Sequence, residues 1–164
     1  MTSEFITGTL KDQFADAVLE VNASADILTI TVHRDFLHDI IAFLKNNESM
    51  GFSFLTDLTG IHYPDAELPF GVIYHLHQFI ENKRIRIKTF LPGNDPSVKT
   101  VTDLFPGANW MERETYDFYG IIFEGHPNLK RILNVDYMDY FPMRKEYPLE
   151  DQTREDKDDR YFGR

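Results

Sequence analysis

Residues 71–91 read GVIYHLHQFIENKRIRIKTFL, and they contain the clearest structural pattern in the chain. In the first half, Val72, Tyr74 and Leu76 fall on one side of an extended segment, because successive side chains of a strand point to opposite faces. The tripeptide at 81–83 then leads directly into a second alternating run. Two strands joined by so short a connection predict an antiparallel hairpin.

The second face of this predicted hairpin carries basic and imidazole groups. Arg84, Arg86 and Lys88 alternate with isoleucines, so they share one face, which we expect to be solvent-exposed. His75 and His77 also share a face and are candidate metal ligands. Two imidazoles without a third identified ligand are weak support for a metal site, so we favour a structural role on a half-buried strand.

The chain before the hairpin predicts two helices and two strands. Asp35 precedes an apolar stripe with helical spacing and is suited to cap the second helix, whose end is indicated by Asn46, Asn47 and Gly51. The expected elements are a helix at 11–20, a turn at 22–26, a strand at 27–33, a helix at 35–47, a strand at 52–62 and a turn at 63–69.

The chain after the hairpin predicts shorter elements. Ser97 is placed to cap a short helix at 97–104, which Pro106 and Gly107 would end. A further helix is expected at 109–119, with Gly120 as the residue that terminates it. A short strand, a tight turn at Gly125 and a new helical start at Pro127 are expected to follow.

These elements predict an α+β fold, with helices in one layer on a mixed, mostly antiparallel sheet. The length of 164 residues fits one core. We expect an α+β domain at 1–133 and an irregular, partner-binding extension at 134–164. Phe118 and Phe123 are expected in the core, the rings at 137–147 on a partner-facing surface, and the charged tail from Glu150 onward ordered only against a partner.

The composition excludes several classes of function. The chain has no cysteine, which removes thiolate chemistry, Cys-based zinc sites and all-Cys iron–sulfur ligation. A net charge of −10 argues against nucleic acid as a partner. No apolar run reaches the ~20 residues of a membrane-spanning helix, and the start lacks the pattern of a leader peptide. We therefore expect a cytosolic chain that reaches a membrane only through partners.

The densest run of chemically capable residues is ERETYDFYGIIFEGHPNLKRI, which begins at Glu112. Glu112, Glu114 and Asp117 beside His126 form a candidate acid–base set for a hydrolase. The same pattern also predicts a network of ion pairs on the helix surface, with Arg113 reaching Asp117 at i,i+4. Because no nucleophile motif accompanies these groups, we favour a role in locking the fold or in contacting a partner.

This run closely resembles the signature of the 30-kDa subunit family of respiratory complex I, the bacterial NADH-quinone oxidoreductase. The family pattern joins an E-R-E triplet to a glycine and then to a Gly-His-Pro element. It is matched at Glu112, Arg113, Glu114, Asp117, Phe118, Gly120, Ile121, Phe123, Gly125, His126, Pro127, Leu129, Arg131 and Ile132.

A second family element is matched by PMRKEYPL at residues 142–149, which contains Arg144 and Lys145. Three positions depart from the usual pattern in this region, namely Phe141, Met143 and Glu146. The strand at 55–59 also resembles the family, more loosely. The resemblance spans most of the chain, in two clusters of matching residues in the same order.

The resemblance implies a subunit of the peripheral arm of a proton-pumping NADH–quinone oxidoreductase, acting in assembly and docking. The expected neighbours are the quinone-pocket (49-kDa) subunit and the iron–sulfur subunits, and NADH, FMN, iron–sulfur clusters and quinone are expected on partner subunits. This chain would hold no catalytic, cofactor or metal residue, and would lie peripherally on the cytoplasmic side of the bacterial inner membrane. The expected signature or interface residues are Glu112, Arg113, Glu114, Asp117, Gly120, Gly125, His126, Pro127, Arg131, Arg144 and Lys145.

Two alternatives remain at this point. The first is the equivalent subunit of a related hydrogenase-type, ferredoxin-linked or F420-linked complex, because related proteins serve there. The second is a free-standing soluble hydrolase or binding domain that uses Glu112, Glu114, Asp117 and His126.

Overall fold

In the computed structural model, which describes residues 2–23 and 27–148, the predicted hairpin lies within a five-stranded sheet. Three α-helices, seven strands and two short 3-10 turns, at Ala15–Ala17 and Arg34–Phe36, make up the described part of the chain. In chain order the main elements are α1 (Ser3–Phe14), β1 (Val18–Asn22), β2 (Leu28–Val32), α2 (Leu37–Asn46), β3 (Phe54–His62), β4 (Phe70–Gln78), β5 (Lys83–Leu91), β6 (Ser97–Lys99), α3 (Ala108–Tyr119) and β7 (Ile122–Glu124).

The sheet has the strand order β1-β2-β5-β4-β3. Strands β4 and β5 form the predicted hairpin, in register from Phe70 opposite Leu91 to Gln78 opposite Lys83. Only β2 and β5 run parallel, and the other neighbours in this sheet are antiparallel. The predicted α+β class with a mixed, mostly antiparallel sheet is therefore confirmed.

One face of the sheet forms the core together with the helices. Val72, Tyr74 and Leu76 of β4 are fully buried, and they join Leu10 of α1 and Ile40 of α2 in one apolar cluster. Burial of such side chains contributes about 1.5–3 kcal/mol each relative to exposure. The alternation in the sequence thus assigns the core face correctly.

The basic face of β5 is only partly exposed. Arg84 is exposed, whereas Arg86 and Lys88 are half-buried. Arg86 donates a hydrogen bond from Nε to Nε2 of His75 at 2.8 Å, which draws its side chain onto the neighbouring strand. The expected solvent exposure therefore applies to the end of the strand and not to its middle.

The helix predicted at 11–20 is wrong in its position. Helix α1 begins earlier, with the Thr2 side chain accepting a hydrogen bond from the Phe5 amide at 3.2 Å. It ends before Ala15, whose φ of 33° breaks the helix. Residues from Val18 onward pair with β2 instead, so strand pairing overrides the helical spacing of the apolar residues.

Asp35 does not cap the second helix. It lies within the 3-10 turn Arg34–Phe36, and α2 begins after that turn without a side-chain cap. The predicted end is confirmed, because Asn47 follows α2 and Gly51 has a positive φ of 56°. The turn predicted at 22–26 lies largely outside the described residues.

The short helix predicted at 97–104 is wrong, and so is the helical start at Pro127. Ser97–Lys99 is β6, which pairs in parallel with β7, with Val98 opposite Phe123. After Pro127 the chain forms turns and bends, and the Asn128 amide donates to His126 Nδ1 at 3.0 Å instead of entering a helix. In both places a contact with a distant or adjacent segment replaces the local capping pattern.

The end of α3 is as predicted, and it positions the segment after residue 133. Gly120 has a φ of 75°, and a Cβ there would lie 2.5 Å from Nη2 of Arg144 and 2.6 Å from the ring of Phe141. From residue 125 to 148 the described chain contains no helix or strand. Phe123 is in the core as predicted, whereas Phe118 is only half-buried. The tail from Glu150 onward lies outside the described residues.

Replacing either of two glycines, one inside α1 and one at the end of α3, with alanine should change the free energy of unfolding in opposite directions. Gly120→Ala should destabilise the chain by about 1–3 kcal/mol, because it strains a left-handed residue and displaces Arg144 and Phe141. Gly8→Ala should stabilise it by about 0.5–1 kcal/mol, because Gly8 is inside α1 with open space around it. Urea unfolding of both variants checks this, and equal effects would contradict the close packing at Gly120.

Candidate functional site

The carboxylate of Asp117 is the centre of the candidate site. Asp117 projects from the buried side of α3 and is fully buried. Its Oδ2 accepts hydrogen bonds from the amides of Ile132, Leu133 and Asn134 at 3.0, 2.8 and 2.9 Å. Its Oδ1 accepts from Nη1 of Arg131 at 2.8 Å and from Nδ2 of Asn134 at 3.1 Å. One side chain therefore fixes three successive residues of an irregular loop.

These donors determine the charge of Asp117. Burial alone would raise the pKa of its carboxyl group, because an anion loses solvation inside the protein. The amides of Asn134 and Leu133 and the guanidinium of Arg131 outweigh that effect and hold the pKa of Asp117 well below its usual range. The group is consequently an anion bound within its own chain and not a proton donor near neutral pH.

Arg131 extends the same network toward the extension. Its Nη1 also donates to the backbone oxygen of Asp117 at 3.0 Å, and its Nη2 donates to the carbonyls of Met138 and Tyr140 at 2.8 and 3.0 Å. Its guanidinium carbon lies 5.0 Å from the ring centroid of Phe141. Within the described chain the anion that pairs with Arg131 is Asp117, in an almost fully buried pair.

Arg113 does not pair with Asp117, so the predicted surface network is wrong. Its Nε and Nη2 donate to the carbonyls of Lys130 and Arg131, both at 3.2 Å. Its guanidinium also lies 5.1 Å from the ring centroid of Trp110. Two arginines thus hold the loop after Gly125 through its carbonyls, while Asp117 holds it through its amides.

Glu112 occupies a second buried position on α3. Its Oε2 is 2.5 Å from the hydroxyl of Thr100, which donates to it, and its Oε1 accepts from the Val101 amide at 2.8 Å. Desolvation by burial raises the pKa of Glu112 to about 7, against the lowering effect of these two hydrogen bonds. Through these two hydrogen bonds Glu112 ties α3 to the residues that follow β6. Separately, the Tyr74 hydroxyl is buried without a hydrogen-bond partner in the described structure.

His126 and Gly125 shape the turn after β7. The imidazole Nδ1 accepts from the Asn128 amide at 3.0 Å, which leaves Nε2 to donate to the Asn109 carbonyl at 3.1 Å. Both ring nitrogens are thus engaged within the chain. Gly125 has a φ of 82°, which confirms the predicted special conformation. Pro127 is exposed beside this turn.

Arg144 fastens the second sequence cluster to the domain. Its Nε donates to the Tyr119 carbonyl at 2.7 Å, and its guanidinium lies 4.7 Å from the ring centroids of both Phe70 and Phe141. The Lys145 amide donates to Nδ1 of buried His62 at 3.0 Å, while the Lys145 residue itself is exposed. The extension is therefore attached to the domain at several points up to Lys145.

Glu114 differs from the other charged signature residues. It is exposed on the outer side of α3. Across residues 2–23 and 27–148, no hydrogen bond or ion pair engages its carboxylate. The structure does not bring Glu112, Glu114, Asp117 and His126 together as one acid–base set, because three of them bind different backbone segments and Glu114 faces solvent.

The two histidines of β4 likewise have different partners and do not form one site. His75 accepts from Arg86 and lies 3.4 Å from Asp57, whereas His77 lies 2.9 Å from Oδ1 of Asn82. Burial, followed by the charge of Arg86, lowers the pKa of His75. Among the described residues no three His, Asp or Glu side chains are grouped closely enough to hold a metal ion.

Some contributors to this site were not predicted. Thr100 and Asn134 supply hydrogen bonds to Glu112 and Asp117, and neither stands in a recognisable motif. The only sequence signal near Asn134 was its position just after the Leu-x-Arg element. The fold and the site together define a class: an α+β module in which buried charges of one helix hold an irregular, aromatic-rich surface segment.

Comparison with known proteins agrees with this class. The family model of the respiratory-chain NADH dehydrogenase 30-kDa subunit matches residues 30–153. The C-type subunit of the NADH-quinone oxidoreductase of Geobacter sulfurreducens is 40% identical over 147 residues, covering 89% of this chain and 90% of that protein. One of the corresponding subunits of Rhizobium meliloti is 43% identical over 122 residues, covering 74% of this chain but only 60% of that protein.

Solved structures show the same fold. A trypsin-resistant fragment of Nqo5 is 33% identical, with a TM-score of 0.64, and the match covers 76% of this chain and 98% of the fragment. An archaeal membrane-bound sulfane sulfur reductase complex contains a chain with a TM-score of 0.73 and 23% identity, covering 89% and 85% of the two chains, which shows the fold alone.

The chain belongs to the family of 30-kDa subunits of the respiratory-chain NADH dehydrogenase. These relatives, together with the separation of the four acid–base candidates, do not favour the free-standing hydrolase. None of the helices in residues 2–23 and 27–148 has the length and apolarity needed to cross a membrane.

The raised pKa of Glu112 predicts a pH-dependent stability difference. An unfolded Glu titrates near 4.3, so the folded state binds an extra proton between that pH and about 7, and stability falls as the pH rises through this range. Glu112→Gln mimics the protonated form. It should be more stable than the native chain by about 2–3 kcal/mol at pH 8 and within about 1 kcal/mol at pH 5.

Urea unfolding at the two pH values measures this difference. Glu114→Gln is the matched control, because it removes an exposed carboxylate two positions away and should show little change with pH. A native chain that gains stability relative to Glu112→Gln between pH 5 and pH 8 would contradict the burial of an easily protonated Glu112.

Proposed function

We propose that this chain is a non-catalytic docking subunit in the peripheral arm of an NADH–quinone oxidoreductase. It would stand next to the quinone-pocket and iron–sulfur subunits, on the cytoplasmic side of the membrane. NADH, FMN, the iron–sulfur clusters and quinone would be bound by partner subunits, and electron transfer from NADH to quinone would take place there. That the chain is a subunit of such an oxidoreductase follows from its membership of the family.

The observation that carries the proposal is the use of the signature charges. Glu112, Arg113, Asp117 and Arg131 each bind backbone groups or side chains of this same chain. Both ring nitrogens of His126 are engaged as well. A catalytic acid, base or nucleophile needs a free position facing a substrate, and these groups are committed to holding the fold.

The surface that these charges hold has the composition of a protein interface. Aromatic and Met side chains are enriched at protein interfaces, and Tyr contributes strongly to binding there. Tyr137 is 87% exposed and Leu133 67% exposed. Further exposed apolar groups on the same segment are Val135, Tyr140, Met143 and Tyr147. Exposed rings on an internally fastened segment favour a partner of rigid shape, such as the proposed quinone-pocket subunit.

The test separates assembly from chemistry. Arg131→Ala leaves Asp117 buried without its cation, at a cost of about 3–5 kcal/mol, and Gly125→Val forces a β-branched residue into a positive φ. Both should lower the amount of assembled complex in native membranes and the NADH–quinone reductase activity in parallel. The measurement is activity divided by the amount of intact complex, determined after affinity purification of this chain.

Glu112→Gln and His126→Ala complete the test, because they remove groups capable of proton transfer. On the docking proposal, the complex that remains in either variant turns over at close to the native rate. A fully assembled His126→Ala complex with turnover reduced about a hundredfold, equivalent to about 2.7 kcal/mol in the barrier, would contradict it. A chain that does not purify with other subunits would contradict membership of the complex.

A further inference from the structure

Helix α3 lies over the last strand of the sheet. It packs on β3, where a Cβ on Gly60 would be 2.6 Å from the ring of Tyr119 and 3.0 Å from Cγ2 of Thr115. Because β3 is the terminal strand of the order β1-β2-β5-β4-β3, no strand among the described residues lies beyond it. The outer side of α3, away from the buried Glu112 and Asp117, is exposed at Trp110 and Glu114.

That outer side carries a distinctive stripe of residues. Trp110, Glu114 and Phe118 follow one another at i,i+4 spacing and so share one face of the helix. Trp110 is 61% exposed, Glu114 is exposed and Phe118 is half-buried. Met143, 47% exposed, adjoins the end of the stripe, where its amide donates to the Phe118 carbonyl at 3.1 Å.

The free edge of β3 offers unused backbone groups. In the described ranges 2–23 and 27–148, the backbone of Phe54–His62 hydrogen-bonds to β4 and to no other backbone segment. The strand has nine residues, which span about 30 Å at 3.3 Å per residue. Its pairing with β4 shifts register between Leu55 and Asp57, so the regular part of the edge runs from Asp57 to His62. An unpaired edge of this kind is a template for pairing with another extended chain.

A groove lies between this edge and the helix. Leu58 and Thr59 line one wall, Thr115 and Phe118 line the other, and the groove has a volume of about 350 Å³. Glu114 and Met143 also line it, together with Asp57 and Tyr119. The lining thus combines apolar side chains with the carboxylates of Asp57 and Glu114.

We propose that this groove receives an extended segment of another subunit, which pairs with β3 as a sixth strand and places a Lys or Arg against Glu114. This proposal rests on the docking function proposed above. Charge complementarity determines the occupant: Glu114 has no cation in the described chain, Asp57 lines the same groove, and the whole chain carries −10. On the incoming strand, the side chains that share a face with this cation would contact Phe118 and Met143. We therefore expect them to be apolar.

A second copy of this chain is a poorer occupant. Pairing β3 with the β3 of another copy would bring two acidic grooves together, and like charges facing each other across a ladder are destabilising. The free chain should therefore not dimerise through the edge of β3. A dimer that is lost on proline substitution in β3 would identify self-pairing instead, and would overturn the proposal.

Hydrogen exchange in the complex purified from native membranes tests the pairing directly. Those β3 amides that point away from β4 should exchange quickly in the free chain and about 100-fold or more slowly in the complex. Amides that bond to β4 are the internal reference, because they are protected in both states. Unchanged exchange along residues 54–62 in an intact complex would overturn the proposal.

Reversing the charge of Glu114 tests its proposed contact with a Lys or Arg of the incoming segment. Glu114→Lys should reduce the amount of this chain retained in the complex at least tenfold, while Glu114→Asp should retain most of it. Asp12→Lys is the matched control, because it reverses an exposed helical carboxylate on α1 and should assemble normally. Equal losses in Glu114→Lys and Asp12→Lys would overturn the proposal.

These results separate the two proposals. If the chain purifies with its partners but neither β3 protection nor the Glu114 effect is found, docking stands and strand addition fails. A chain that never enters the complex overturns both.

Discussion

A buried carboxylate that binds three consecutive backbone amides is the constraint on which the rest of this structure depends. Asp117 links the inner side of α3 to residues 132–134, and Arg131 continues the link to the carbonyls of residues 138 and 140. The irregular segment has no helix or strand to satisfy its backbone groups, so these charged hydrogen bonds replace a ladder. Without Asp117 the amides of residues 132–134 would lose their acceptor, and the exposed rings would lose one of the contacts that fix their arrangement.

Much of the fold was predictable because local and tertiary signals agree in the sheet. The alternation in residues 71–91 assigns the hairpin and its core face, and Gly120 ends α3 in the left-handed conformation. Two of the failures share one cause. Val18 and Val98 lie in segments with plausible helical signals, but pairing with β2 and with β7 decides their structure. Such pairings join residues distant in sequence and leave no mark in a local pattern.

The sequence singled out the charged residues of this region but not their geometry. The matched signature named Asp117, Arg131 and Glu112; Asp117 and Glu112 are fully buried, and Arg131 is half-buried and paired with Asp117. Helical spacing suggested that Arg113 pairs with Asp117, yet the helix turns these two side chains toward different backbone groups of the loop. Glu114 shows the reverse: adjacent to buried residues in sequence, it is the exposed acid of the group. Burial of a charge depends on donors brought by folding, which spacing alone does not reveal.

Titration of the Asp117 carboxyl carbon by NMR in the isolated chain tests the central role of this group most directly. We expect the carboxylate to stay ionised through pH 4, with a midpoint well below the ordinary value of about 3.9, since the amides of Asn134 and Leu133 and the guanidinium of Arg131 outweigh the cost of burial. Stability from this group is then lost only as the pH falls below about 4 toward that midpoint. A midpoint at or above 3.9 would contradict this role, because Asp117 would then not be the anion that organises the segment.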